Sequence, residues 1–250
     1  MSGHSKWSQI KRQKGANDAK RGQLFTKLGR EISVSAREGG PDPAANFRLR
    51  LAVEKARDAN MPMENIQRAI QRASGGAGGE TFEEVLYEGY GPGGAALLIE
   101  VNTDNRNRTA AEVRATLTRG GGSLGEAGSV AWQFEPKGII AIELDGADGD
   151  ALTLEAIEAG AEDVNTGDNL LEVYTEPADL HQVRERLQAA KAKIVSAERG
   201  YVPKASLALD NAQAEQVLRL MERLEDLDDV QRVHTNIELN QAVLESVASG

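Results

Sequence analysis

Apolar residues recur with a helical period near the start of the chain. Leu24, Leu28 and Ile32 fall on one face of a predicted helix that begins near Asn17. The pair of glycines at 39–40 supplies its end, since glycine readily adopts the backbone conformation that terminates a helix.

Two more short amphipathic helices are predicted after this one. Asp42 suits the N-cap of the second helix, and Pro43 suits its first position. The stretch "MPMENIQRAIQRA" predicts the third, with Ile66 and Ile70 on its buried face. Three such helices with tight connections predict a bundle over residues 17–78.

The pattern changes after the linker "GGAGGE". The stretch "EEVLYEGYGPGGAALLIEVNT" predicts two strands around a Gly/Pro turn, and "DNRNRTAAEVRATLTRGGG" predicts a helix capped by Asp104 or Asn105. The next stretch, "GSVAWQF", is predicted to be a strand. Its Trp132 and Phe134 would pack in a core or between domains.

Residues 138–202 follow the order βαββαβ, which is the split βαβ arrangement. The segment before them has two strands, a helix and one further strand, and the C-terminal part adds a helix and a closing strand. We therefore predict an α+β protein with an N-terminal helical bundle and two ferredoxin-like α+β domains. The last, 138–202, is inserted into the middle one, which comprises 80–136 plus 204–240.

Charge is distributed very unevenly along the 250 residues. The chain carries 29 Lys and Arg against 39 Asp and Glu, yet residues 1–75 alone carry 15 basic and only 7 acidic side chains. A basic end on an acidic body predicts oriented docking on a polyanion. A solvated basic tail with no partner is the alternative. Residues 1–16 show no apolar stripe, so we expect a flexible basic arm there.

The basic positions supply most of the candidate nucleic-acid-binding residues. Trp7 joins them because an aromatic ring among cations can stack on a nucleobase, although it could instead pack against the first helix. Arg106 and Arg108 join them because the helix dipole disfavours cations at a helix N-terminus, so their presence there indicates another requirement, such as binding a ligand. A salt bridge to the acidic body would also account for them. The full set is Lys6, Trp7, Lys11, Arg12, Lys14, Lys20, Arg21, Lys27, Arg30, Arg106 and Arg108.

Two stretches have the spacing of catalytic or cofactor-binding motifs, but the predicted elements around them are the wrong ones. "GYGPGG" has the spacing of a dinucleotide-binding loop, but a strand follows it where that loop needs a helix. Ser123 in "GGSLG" has the spacing of a nucleophile elbow, but the strand and helix around it come in the wrong order. The acidic clusters, at residues 222–229 and at Glu155, Glu158, Glu162 and Asp163, are interpreted as solvated surface, with a weak Mg²⁺ site as the alternative. We therefore predict no enzyme activity, no cofactor and no metal site.

Bulk features bear on the compartment. The chain has no cysteine, no apolar signal region at its start and no apolar stretch long enough to span a bilayer. We expect a soluble, cytoplasmic, monomeric protein that does not bind membranes.

Several long blocks of the sequence resemble the YebC/PmpR family. They are "GHSKW", "KGANDAKRGQLFTKLGREI", "MPMENIQRAI", "YEGYGPGG", "DNRNRTAAEVR" and "GGSLGEAGSVAWQF". The resemblance covers nearly the whole chain and thins after about Asn240. It implies three domains, the last inserted into the middle one, and a non-enzymatic role in gene expression.

Two functions remain open from the sequence. Family members are generally labelled probable transcriptional regulators that bind DNA, whereas mitochondrial relatives resemble translational activators, which implies a partner in the rRNA or tRNA of the ribosome. The third helix offers Gln67, Arg68, Gln71 and Arg72 as base readers, or as plain surface. The primary prediction is a DNA-binding transcriptional regulator, and the alternative is a ribosome- or RNA-associated translation factor.

Overall fold

The computed structural model describes residues 18–73, 81–167 and 169–239. The predicted arm, 1–16, lies outside these residues. The chain divides into two compact units, of which one is Phe134–Lys204 and the other contains the described residues on either side of it. The domain boundaries given above stay predictions.

Three helices form the bundle at the start of the described chain. They are α1 (Asp18–Gly39), α2 (Phe47–Asp58) and α3 (Met63–Ala73). Leu28 and Ile32 of α1 and Ile66 of α3 are buried together in its core, whereas Leu24 is exposed.

The start of α2 differs from the prediction. Its N-cap is Asn46, not Asp42, and the Asn46 side chain accepts a hydrogen bond from the backbone N–H of Leu49 at 3.0 Å. The Asn46 amide also donates to the carbonyls of Ser35 and Gly40, both at 2.8 Å. Asn46 thus joins the end of α1 to the start of α2, a role that no local cap pattern reveals.

The first sheet is assembled from two separate parts of the chain. Its strands are β1 (Glu83–Tyr90), β2 (Ala96–Thr103), β3 (Ser123–Leu124) and β8 (Val230–Thr235), in the antiparallel order β3-β1-β2-β8. Helices α4 (Arg106–Arg119) and α7 (Asn211–Glu225) pack against it, with Val113, Leu117, Val217 and Leu218 buried. The closing helix and strand therefore come from the C-terminal part of the chain.

The second sheet lies within the unit Phe134–Lys204. Its strands are β4 (Phe134–Glu143), β5 (Asp163–Thr166), β6 (Leu170–Thr175) and β7 (Lys193–Pro203), in the antiparallel order β5-β6-β4-β7. Helices α5 (Gly149–Ala159) and α6 (Leu180–Ala189) complete the order βαββαβ. The predicted α+β fold class is confirmed.

The predicted strand "GSVAWQF" is wrong over most of its length. Residues Ala131–Gln133 form a 3-10 turn, and the strand begins only at Phe134. Phe134 is buried as expected, but the Trp132 side chain is 67% exposed. The physical reason is a buried carboxylate, Glu88, which binds the backbone N–H groups that a partner strand would otherwise satisfy.

No helix among residues 18–73, 81–167 and 169–239 is both long and apolar enough to cross a membrane.

Candidate nucleic-acid interface

Part of the predicted interface lies outside the described residues. This holds for Lys6, Trp7, Lys11, Arg12 and Lys14. The backbone of Lys20 belongs to α1, but its side chain is also outside the description. The roles proposed for these residues stay predictions.

Arg30 of α1 is directed into the protein. Its guanidinium lies 2.7 Å from a carboxylate oxygen of Asp229, and only 14% of its side chain is exposed. The same guanidinium lies over the Phe82 ring, 5.2 Å from the centroid. Arg30 therefore joins the helical bundle to the turn that holds Asp229, just before β8, in the same unit.

Asp229 is the centre of a buried polar network, so the prediction that its acidic cluster is solvated surface is wrong for this residue. Its side chain is 3% exposed and accepts hydrogen bonds from the hydroxyls of Thr103, at 3.0 Å, and Thr109. It also accepts one from Arg108 at 2.8 Å. Burial by itself raises the pKa of Asp229, but these hydrogen bonds and the charge of Arg30 outweigh it and hold the pKa below its ordinary value.

The two arginines that open α4 are also paired with carboxylates. Arg108 donates to Asp104 at 2.7 Å as well as to Asp229, and these bonds raise the pKa of Arg108. Arg106 makes two 2.7 Å hydrogen bonds to Glu83, in a pair that is 61% exposed on the arginine side. Asn105 caps the helix, as one of the two predicted options. Salt bridges to acidic groups, the alternative raised from the sequence, are thus present at both arginines.

Lys27 of α1 donates a hydrogen bond to the backbone carbonyl of Glu225. Lys27 and Arg30, both predicted binding residues, thus contact the segment 225–229 that links α7 to β8. The binding role of Lys27 and Arg30 stays a prediction.

Other cations on the bundle are presented to solvent. Arg68 and Arg72 are exposed one turn apart on α3, and Gln67 and Gln71 are exposed beside them. Within the described residues these two arginines form no ion pair with a carboxylate. Arg21 of α1 and Arg57 of α2 are likewise exposed and form no ion pair within the described residues.

Two exposed aromatic side chains meet at one loop. The Tyr90 hydroxyl and the Trp132 indole N–H both donate to the carbonyl oxygen of Ser129, at 3.2 and 3.1 Å. The Glu88 carboxylate fixes this loop through N–H groups of residues 128, 130 and 131, at 2.6, 2.6 and 2.7 Å. Burial raises the pKa of Glu88, but the three N–H donors prevail and lower it.

The sequence pattern does not reveal this aromatic pair, because the alternation of apolar residues at 130–134 predicts a buried strand there. The available signal was the turn-forming run "GEAGS" just before it, which favours a loop over a continuous strand.

The rejected motifs have structural roles. "GYGPGG" forms the turn of the β1–β2 hairpin, in which Tyr90 pairs with Ala96. Ser123 lies in the short edge strand β3, which follows α4. His234 is buried and contacts Glu100. Among the residues that the structure describes, no group of three or more metal-ligating side chains could hold a metal ion.

Two family models match the chain. One, described as the TACO1/YebC protein N-terminal domain, matches residues 5–76, and the other, the TACO1/YebC second and third domain, matches residues 82–237.

Full-length relatives agree with these matches. A protein of Roseiflexus castenholzii named "Probable transcriptional regulatory protein" is 55% identical, with 100% of both chains covered. A protein of the same name from Trichlorobacter lovleyi is 53% identical over 99% of this chain and 100% of its own. The crystal structure of a conserved hypothetical protein, Aq1575 of Aquifex aeolicus, is 47% identical and superposes with a TM-score of 0.83, covering 90% of this chain and 93% of that one.

Proposed function

The chain belongs to the TACO1/YebC family, and we propose that it is a non-enzymatic, cytoplasmic regulator of gene expression that binds nucleic acid. The finer form of the proposal is a DNA-binding transcriptional regulator. The names of the relatives support the regulatory role. DNA binding rests on the argument from charge that follows.

The observation that carries the proposal is the contrast between two sets of arginines. Arg30, Arg106 and Arg108 share their charge with Asp229, Asp104 or Glu83. Arg68 and Arg72 on α3 are exposed and form no ion pair within the described residues. A cation with no carboxylate partner offers its full charge to a phosphate, so α3 adds a second set of candidate phosphate-binding cations to those predicted in the arm.

The salt dependence of binding tests this proposal. Each neutralised phosphate on duplex DNA contributes about 0.9 to the slope of log affinity against log salt. Replacing Arg68 and Arg72 together by glutamine is expected to reduce the slope by about 1.8, equally on all sequences. Replacing Lys11, Arg12 and Lys14 together is expected to reduce it by up to about 2.7.

Arg106→Gln is the matched control. This substitution also removes an exposed guanidinium group, but one that Glu83 already binds. We therefore expect the slope of log affinity against log salt to change less than it does for each arginine replaced on α3. A slope loss of about 0.9 for Arg106→Gln would support the predicted role of Arg106 in phosphate binding. Unchanged salt dependence in both multiple variants would refute binding through these cations.

A second candidate function is an RNA- or ribosome-associated translation factor. The exposed pair Tyr90 and Trp132 favours it, since exposed aromatics are common in proteins that bind unpaired bases. Affinities for promoter and scrambled duplexes separate the two functions. A preference for the promoter that persists at high salt supports transcription, because base-edge contacts release few counterions. Equal and steeply salt-sensitive binding to both favours translation.

A further inference from the structure

Trp132 is held in a fixed position without being buried. Tryptophan is usually well buried in folded proteins, yet this side chain is 67% exposed and its neighbour Tyr90 is 37% exposed. Aromatic residues make up only 4% of the chain. Two of them at one exposed loop therefore call for an explanation other than packing.

Several hydrogen bonds hold the loop that precedes Trp132. Glu88 binds three of its backbone N–H groups, and the Gly125 N–H donates to the Glu88 carbonyl at 2.8 Å. Charge-assisted hydrogen bonds of this kind are stronger than neutral ones. The fold thus fixes a loop whose largest side chain gains little from burial.

The polar groups of both rings are already satisfied. The Ser129 carbonyl accepts the Tyr90 hydroxyl and the Trp132 indole N–H, so the two donors are near each other and both side chains are oriented by the same atom. What the rings still offer to a ligand is their faces. A flat, apolar face with no free donor suits stacking against another flat π system rather than recognition by hydrogen bonds.

We propose that Tyr90 and Trp132 form a stacking site for an unpaired base of a single-stranded nucleic acid. The proposal rests on the nucleic-acid-binding function proposed above and adds to it the recognition of an unpaired base. Bases within a duplex hide their faces in the stack, whereas unpaired bases expose them. The aromatic pair would hold a base, while the phosphates of the strand would be bound by cations elsewhere on the protein.

The geometry also predicts weak sequence preference at this site. Every base has a π-face, and neither ring has a donor left with which to read a base edge. The site should therefore bind strands that carry bases more tightly than abasic strands, with little preference among the four bases.

Tryptophan fluorescence tests the proposal directly. The chain contains two tryptophans, so Trp7→Phe leaves Trp132 as the only emitter. This variant is titrated with a short thymidine oligonucleotide and with an abasic oligonucleotide of the same length and phosphate charge. We expect quenching of Trp132 by the thymidine strand and little quenching by the abasic one.

Affinity measurements in the full-length protein complete the test. Trp132→Ala is expected to weaken binding of the thymidine strand by about 5- to 150-fold, which is the range for losing one stacked base, and to leave abasic binding unchanged. Trp132→Phe and, in a separate variant, Tyr90→Phe keep an aromatic ring. Each should bind the thymidine strand with most of the wild-type affinity. Far-UV circular dichroism checks that each variant is folded. Uridine strands in parallel show whether RNA or DNA supplies the base.

The outcomes separate this inference from the proposed function. If the wild type binds thymidine and abasic strands with the same Kd and Trp132 is not quenched, the stacking site is refuted and phosphate binding stands. An equal loss of affinity for both strands in Trp132→Ala would also refute it, because that pattern indicates a structural role. Failure of the wild type to bind any strand would refute both proposals.

Discussion

Replacing Asp229 by asparagine removes the charge at the centre of the buried network while nearly preserving its shape. Four side chains contact this carboxylate in the wild type: Thr103, Thr109, Arg30 and Arg108. After the substitution Arg30 remains, only 14% exposed and without its carboxylate. Such a variant measures how firmly the helical bundle is joined to the first sheet.

The expected loss of stability follows from these contacts. Removing one partner of a buried ion pair costs about 3–5 kcal/mol, because the other charge is left uncompensated. We expect a value near the lower end, since Arg108 keeps Asp104 and Arg30 keeps its contact with the Phe82 ring. With a denaturant slope of about 2 kcal/mol per molar, a loss of about 3 kcal/mol lowers the urea midpoint by about 1.5 M.

Urea unfolding followed by far-UV circular dichroism is the assay. The matched control is Glu83→Gln, which removes the partner of Arg106 from an Arg–carboxylate pair with equally short hydrogen bonds but on the surface. Exposed pairs contribute little, so its midpoint should barely move. An Asp229→Asn midpoint within about 0.5 M of the wild type would refute the role assigned to the network.

The dependence on pH gives an independent check of the same residue. The folded pKa of Asp229 is lowered relative to an unfolded value of about 3.9. Its stabilising contribution is therefore complete above that value and is lost as the pH falls through the folded pKa. The stability difference between wild type and Asp229→Asn should narrow below about pH 4, and a difference that stays constant down to the folded pKa would contradict the assignment.

Three further predictions concern other parts of the fold. Gly138→Ala should destabilise the second sheet by about 1–3 kcal/mol, because a Cβ there would lie 2.3 Å from the Thr175 hydroxyl; an unchanged thermal midpoint would be inconsistent with this close approach. Residues 138–202 expressed alone should give the dispersed amide spectrum of a folded domain, whereas residues 80–136 alone should not, since they lack a helix and an edge strand; a folded 80–136 fragment would argue against the interrupted domain. Glu88→Gln should increase hydrogen exchange at the three loop amides that this carboxylate binds, and unchanged protection would mean that the loop is held by other contacts.

The local sequence pattern predicted the helices, caps and turns correctly where these depend only on residues close together in the chain. Leu28 and Ile32 lie on the buried face that their spacing predicts, and Asn105 caps α4 as one of the two predicted options. The glycine-rich turn joins a hairpin, as the strand after it requires. These features depend on residues within a few positions of one another, so the sequence shows them directly.

Errors arose where a distant residue supplied a hydrogen bond or an ion pair. Asn46 replaced Asp42 as the cap because its side chain also binds carbonyls at the end of α1. Trp132 left the predicted strand because Glu88, far away in the sequence, binds the backbone before it. A period in the sequence carries no information about such partners.

The sequence by itself determined the helical bundle, the α+β fold class, the uneven charge and, through its long characteristic blocks, the family. Periodicity, capping and composition are local or additive properties, so they can be read from the sequence without knowing which elements contact one another. Only the tertiary structure decided that Arg30 faces Asp229, that Arg68 and Arg72 carry no partner among the described residues, and that Trp132 is exposed. Charge pairing and exposure depend on which distant surfaces come together, because desolvation and Coulomb energy act through space and not along the chain.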